Sequence, residues 1–210
     1  RTPLAVLGTQ AEYGERQSDP QEMRQTFAGM QRSIRGTKHM ANQMLTLARA
    51  EQVNGLIQTR LQLDFVELAR DVAGDFAVLA LDKHIDLAFE APESPLWIDG
   101  NAVMLREMVS NLADNALRYT PDGGHVTISV TRDSACVCLS ISDDGPGIPP
   151  AERENVFKRF YRILGSGDSE GSGLGLAIVR EICHAHQGTI RLGDGPSGHG
   201  LTVDIRLKAD

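Results

Sequence analysis

The chain has 210 residues, enough for one large domain or two small ones. A formal net charge of −7 with 5% aromatic residues argues against nucleic-acid binding, which needs a basic face to displace counterions. Three cysteines without metal-ligand spacing read as reduced thiols of a cytosolic compartment. No apolar run reaches bilayer-spanning length, none reads as a signal peptide, and the opening Arg1-Thr-Pro-Leu reads as a piece cut from a longer protein.

The first fifty-odd residues have helical periodicity. Leu4, Leu7, Ala11 and Gly14 precede a turn and helix start at Ser18-Asp19-Pro20. Met23, Phe27, Met30, Ile34, Thr37, Ala41, Met44 and Ala48 then alternate steps of four and three. Such a seam is poorly buried in a lone hairpin, so pairing of two hairpins into a four-helix bundle is the simplest expectation. Gln52-Val-Asn-Gly55 reads as a stop and linker, placing a helical hairpin at 1–54 and a second domain at 55–210.

In the second domain the pattern predicts a strand at Leu61–Leu63, a helix at Val66–Leu81, and strands at Ile85–Phe89 and Leu96–Ile98. A strongly amphipathic helix follows at Asn101–Tyr119, then an antiparallel pair, Val126–Thr131 with Val137–Ser142. A helix at Leu174–His186 and strands at Thr189–Leu192 and Leu201–Leu207 complete the chain. Strands adjoining without intervening helices favour an α/β sandwich with a mixed sheet over a doubly wound parallel one, so the fold class is α+β.

Three ordered segments carry chemistry. Glu107, Asn111 and Asn115, spaced by four, share one face of an otherwise apolar helix. An amide carbonyl oxygen there suits magnesium, which keeps few protein ligands and completes its shell with phosphate oxygens and water. A pair of helix-bridging amides is the plainer alternative. Asp143 ends an apolar strand before Gly145-Pro-Gly147, where a carboxylate can accept from an exocyclic amine and glycines let backbone approach a flat ring; an ordinary Asp-Gly turn is the alternative. Gly171-Ser-Gly173-Leu-Gly175 opens a helix, whose free amides and positive dipole end receive phosphates. Between the last two segments, Phe157 and Phe160 could anchor a flexible lid, with Arg162 or Lys158 turned to phosphates. Gly193-Asp-Gly195-Pro-Ser-Gly198 matches the dinucleotide string literally, but no helix follows it and it reads as a loop.

Taken together, these segments resemble the N, G1, F, G2 and weak G3 boxes of sensor histidine kinases (the last at Gly198–Thr202). That family has an ATP-binding sandwich, the Bergerat fold, in common with gyrase, a heat-shock chaperone and mismatch-repair ATPases. The resemblance implies that Asn111 and Asn115 face Mg2+ and phosphate, with Asn115 the direct ligand. It implies that Asp143 binds the adenine amine in a pocket shaped by Gly145 and Gly147. Tyr119, Phe157 and Phe160 would frame ATP, while Gly171, Gly173, Leu174 and Gly175 form the lid hinge and phosphate cradle. Arg162 would assist transfer.

Arg1-Thr2-Pro3-Leu4 resembles the tail of the family's H box, which places the phosphoacceptor histidine just before Arg1 and gives Thr2 a part in the family's phosphatase reaction. His39, off the seam and without an adjacent acid, is a poor substitute. His186 reads as a structural histidine at a helix end. The implied activity is an ATP-dependent protein histidine kinase that passes phosphate on to an aspartate of a response regulator receiver domain. The implied setting is a homodimer through the hairpin, in the cytoplasmic part of a bacterial inner-membrane sensor, with no membrane contact by this piece. Two other classes are open: a related nucleotide-hydrolysing ATPase, and a silent ATP-binding or dimerisation module. Hydrolysis needs a base for water, and Asn111 cannot accept a proton.

Overall fold

The computed structural model describes residues 8, 9, 12, 13, 19–24, 26–30, 34, 60–163, 172–196 and 198–209. By internal contacts the chain divides into two compact units, Arg1–Leu45 and Thr46–Asp210. The boundary expected after residue 54 lies outside the described residues, as do Thr2, Pro3, His39 and the seam beyond Ile34.

In the first unit, residues 20–24 and 26–30 are helical. The helix start expected at Asp19-Pro20 is present. Asp19 accepts from Gln21 N–H through its carboxylate (2.9 Å) and from Met23 N–H through its carbonyl (3.0 Å). Of the seam residues described, Met23, Phe27 and Ile34 are exposed, the last two more than half.

The second unit is built in the order β1 (Leu61–Asp64), α1 (Phe65–Asp82), β2 (Asp86–Glu90), β3 (Trp97–Gly100), α2 (Ala102–Tyr119), β4 (His125–Asp133), β5 (Cys136–Asp143), α3 (Gly175–Ala185), β6 (Thr189–Asp194) and β7 (Leu201–Lys208). Two short 3-10 turns, Pro150–Glu152 and Asn155–Phe157, lie between β5 and α3. Strands order as β2-β4-β5-β7-β6, with β2 parallel to β4 and the remaining pairs antiparallel; β1 and β3 form a separate antiparallel pair. The mixed sheet and the antiparallel β4–β5 pair agree with the alternation in the sequence.

Strict alternation makes this a sandwich. Val126, Ile128 and Val130 of β4 and Val137, Leu139 and Ile141 of β5 point into one core, while Cys136 and Cys138 sit half-buried on the other face. Leu105, Met108, Val109, Leu112 and Leu117 of α2 and Ile178, Val179 and Ile182 of α3 fill the same core. Of the three cysteines, Cys183 alone is fully buried, and burial pushes its thiol up to about 11.

The helix ends are fixed by named side chains. Asn101 caps α2 by accepting from Met104 N–H (3.1 Å). Asp64 caps α1 through Val66 N–H (2.9 Å), and the same oxygen accepts from Leu96 N–H (3.2 Å), fastening β1 to the approach of β3. At the far end of α2, the Lys83 ammonium donates to the carbonyls of Leu117 (2.6 Å), Thr120 (2.9 Å) and Arg118 (3.3 Å). One cation thereby satisfies the orphan acceptors of that terminus and complements its dipole. His186 is the helix-end residue expected from the sequence. Its Nδ1 donates to Ile182 O (2.8 Å), which leaves Nε2 to accept from Asn101 N–H (3.1 Å).

Candidate functional site

Three elements converge. On α2, Asn111 is almost fully buried and Asn115 and Tyr119 half-buried. The Asn111 amide nitrogen donates to the Glu107 carbonyl (2.8 Å) and carboxylate (3.1 Å), which orients its carbonyl oxygen the other way. That oxygen and the Asn115 amide meet the first residue of α3. A Cβ added at Gly175 would lie 3.3 Å from Asn111 Oδ1, 3.3 Å from Asn115 Nδ2 and 3.6 Å from Asn115 Oδ1. Two distant segments of the sequence thus close on one point, at a helix start with free amides. The Asn115 side chain makes no hydrogen bond to the protein among the described residues. Its two neighbours on the same face, Asn111 and Glu107, are engaged with each other.

Asp143 ends β5 and is 6% exposed. Its Oδ1 accepts from Gly145 N–H (3.0 Å) and Leu201 N–H (3.2 Å), whereas Oδ2 has no protein partner among the described residues. Burial pushes this carboxyl above its ordinary range, and nearby Asp144 adds to the shift; the two amides oppose it. Asp144 turns outward. Its carboxylate accepts from the backbone N–H of His125 (3.0 Å to each oxygen) and meets the ring Nδ1 (3.0 Å). Burial raises the Asp144 carboxyl, but these His125 contacts outweigh it and hold it low; the Asp144 side chain in turn raises the imidazole. Only one of the paired acids therefore faces the pocket.

The loop after Asp143 is held close. Gly147 has φ 70°, and a Cβ there would sit 2.5 Å from the carbonyl of Gly200, so only glycine fits. Gly145 lies under the carbonyl of Tyr119, where a Cβ would come within 2.9 Å. The literal glycine string begins in β6, whose last two residues are Gly193 and Asp194, and leaves the strand at Gly195 with no helix after it. Gly195 N–H donates to Gly200 O (3.2 Å), and the Gly195–Leu201 turn lies against the Asp143 backbone and its Oδ1. Its glycines wall the pocket on the side away from α2.

The 3-10 segment carries the expected aromatics, with one correction. Phe157 is buried, and the Arg180 guanidinium lies 5.3 Å from its ring centre. Phe160 is 63% exposed and does not join it. Its left-handed φ of 62° turns the side chain outward while its N–H bonds Gly173 O (2.9 Å). Gly173, at φ 68°, packs on the same backbone, where a Cβ would come 2.8 Å from the Phe160 carbonyl carbon. The two ends of the stretch containing Gly171, Asp168 and Glu170 thus meet at Phe160–Gly173; those three residues lie outside the described ones. Leu174 stands at the N-cap position of α3 with its side chain fully buried in the core, so only its backbone is left to face a ligand. Tyr161 donates to the Glu152 carboxylate, which Asn155 also reaches (3.2 Å), and Lys158 is spent on Asn155 (2.7 Å). Tyr161 lowers the Glu152 carboxyl and is itself raised by it. Arg162 is exposed.

The residues present suit magnesium. No three His, Cys, Asp or Glu side chains converge among the described residues, so any metal would rest on amide oxygens, phosphates and water. No helix among the described residues is long and apolar enough to cross a membrane.

A two-layer sandwich with one acid at a strand end, amides on a helix and a glycine helix start defines an ATP-binding module. The profile of the histidine kinase-, DNA gyrase B- and HSP90-like ATPase family matches residues 100–210, and the chain belongs to that family. Among curated relatives, it is 38% identical over 207 residues to the sensor protein kinase PmrB of Pseudomonas aeruginosa, covering 99% of this chain and 43% of that protein. It is 32% identical to the signal transduction histidine-protein kinase BaeS of Escherichia coli, covering all of this chain and 45% of that one. The chain thus spans less than half the length of these relatives. Among solved structures, the mycobacterial sensor histidine kinase MprB superposes with TM-score 0.62 at 32% identity, over 72% of this chain and 98% of that one. The Acinetobacter baumannii histidine kinase AdeS gives TM-score 0.78 over the whole chain and 96% of its own, and at 24% identity that likeness speaks for fold alone.

Proposed function

We propose that this chain is the dimerisation and catalytic part of an ATP-dependent protein histidine kinase. The observation that carries this is the placing of two groups that have no protein partner among the described residues: the Asn115 side-chain amide faces the glycine start of α3, and Asp143 offers Oδ2 beside Gly145. Asp143 Oδ2 accepts from the adenine exocyclic amine, with Tyr119 alongside. Phosphates lie over Gly173 and Gly175 at the dipole end of α3. Asn115 holds the metal, and Asn111, oriented by Glu107, supports it with its carbonyl oxygen. Magnesium, when bound, offsets charge on the transferring phosphoryl group. Phe157 anchors the lid, and Arg162 at its base turns to the γ-phosphate.

In the reaction a neutral imidazole nitrogen attacks the γ-phosphorus in line. The N–P bond forms, the bond to the β-bridging oxygen breaks, ADP leaves, and the ring N–H proton passes to solvent. The acceptor is a protein histidine, and the phosphoryl group continues to an aspartate of a receiver domain. Dephosphorylation of that regulator, with Thr2 orienting water, is a second activity. The exposed Met23, Phe27 and Ile34 support pairing of two hairpins, and the relatives' names support a place in a sensor kinase.

The test is to incubate this chain with γ-labelled Mg·ATP and a partner carrying the full hairpin. Label on the partner's histidine is expected. Free phosphate alone would make it a hydrolase; bound ATP with no turnover would make it a silent module.

A further inference from the structure

Arg153, just after the turn Pro150–Glu152, is remote from the phosphates, yet it bridges both walls of the pocket around Asp143. Its Nε donates to the carbonyl of Ile148 (3.2 Å), on the loop that leaves Asp143 through Gly145 and Gly147. Its Nη2 pairs with Asp194, the last residue of β6. Asp194 leads directly into the turn whose Leu201 N–H holds Asp143 Oδ1. The Arg153 side chain is 22% exposed, far less than its acid partner's at 64%, so it is seated between the two segments rather than lying on the surface.

We propose that Arg153 is a positioning residue for nucleotide binding: it clamps the Ile148 loop to the Asp194 turn and so sets the spacing of the slot beside Asp143. The inference rests on reading Asp143 as the base-binding carboxylate. Two divergent donors are required, one for a carbonyl and one for a carboxylate. An arginine fork supplies them from a planar group, and a lysine ammonium at the end of a flexible stem does not. The clamp acts on the base side of the ligand, so its loss weakens ATP and ADP by the same factor and leaves the phosphate contacts alone.

The experiment is calorimetric titration of ATP and ADP, each with magnesium, into the whole chain and its variants, alongside melts without nucleotide. Arg153→Ala is expected to raise both dissociation constants about tenfold, the loss of one charge-assisted clamp. Arg153→Lys should not restore them. Asp194→Asn should give a smaller loss that adds little on top of Arg153→Ala. Melting without nucleotide should stay close to the parent. Binding of Arg153→Ala within about twofold of the parent overturns the proposal. So do losses from the two residues that multiply, or affinity that falls only in step with melting temperature. Asp143→Ala in the same series separates the two failures: if it too binds normally, the base-site reading falls; if only Arg153→Ala does, the clamp alone falls.

Discussion

Asp143→Asn separates what the carboxylate does for the fold from what it does for the ligand. Oδ1 accepts two backbone N–H groups, at 3.0 and 3.2 Å, and the asparagine oxygen can keep both. The substitution then places an NH2 where Oδ2 was free, so a donor faces the adenine amine. Losing a hydrogen bond to a charged acceptor costs about 1.5–3 kcal/mol, and the opposed donors add desolvation without return. Affinity for ATP should fall about a hundredfold or more. The apo fold should not suffer, because burial already raises this carboxyl above its ordinary value. Between the unfolded and the raised folded value the native state binds more protons, so parent stability falls as pH rises through that window. The asparagine variant lacks that term and should melt at or above the parent at neutral pH. Calorimetry with Mg·ATP and thermal melts from mildly acid to neutral pH check both halves. A variant that binds ATP like the parent, or unfolds well below it at neutral pH, would refute this account of Asp143.

Three further perturbations have definite signs. Gly175→Ala brings a methyl to 3.3 Å from both asparagine amides, so nucleotide affinity should drop by at least about tenfold, while reduced unfolded-state entropy leaves the apo protein as stable or about 0.5–1 kcal/mol more so; titration paired with a denaturant melt reads both. Lys83→Met removes the ammonium from three carbonyls ending α2 and should cost about 1–2 kcal/mol, a few degrees in melting temperature, measured without nucleotide. His186 is held neutral, its imidazole pushed below the usual value by burial and by the nearby Arg60 charge against the pull of Ile182 O. Its contribution is full above the ordinary histidine value of 6.5 and is lost as pH falls below that value toward the lowered one, so apo melting temperature should drop on acidification below 6.5 and His186→Gln should flatten that slope.

What the sequence showed was local. The i, i+4 spacing of Glu107, Asn111 and Asn115 fixes a shared helix face whatever the surroundings, and the alternation from Val126 to Asp143 fixes which residues enter the core. The position of Gly175 before an apolar helix likewise carries its own structural meaning. Contacts between residues far apart in the chain were invisible. Lys83 seals a helix ending more than thirty residues on, and Arg153 meets Asp194 across two elements. The string beginning at Gly193 matches the dinucleotide motif only literally, and the packing of Gly195 and Gly200 on Asp143 leaves no periodicity to read. Phe160 misled because an aromatic after a polar pair looks like an anchor, whereas a left-handed backbone turned it to solvent. Glu107 was visible as a neighbour of Asn111, but its role in aiming that amide follows only from the side-chain geometry.

The central claim is that α2, the end of β5 and the start of α3 form one nucleotide site. Its most direct test is Mg·ATP titrated calorimetrically into the parent chain, Asn115→Ala and Asp143→Ala, with far-ultraviolet circular dichroism melts of all three. Saturable binding by the parent and its loss in both variants, each of which still melts cooperatively, are the predicted result. Binding retained in both folded variants would contradict the claim.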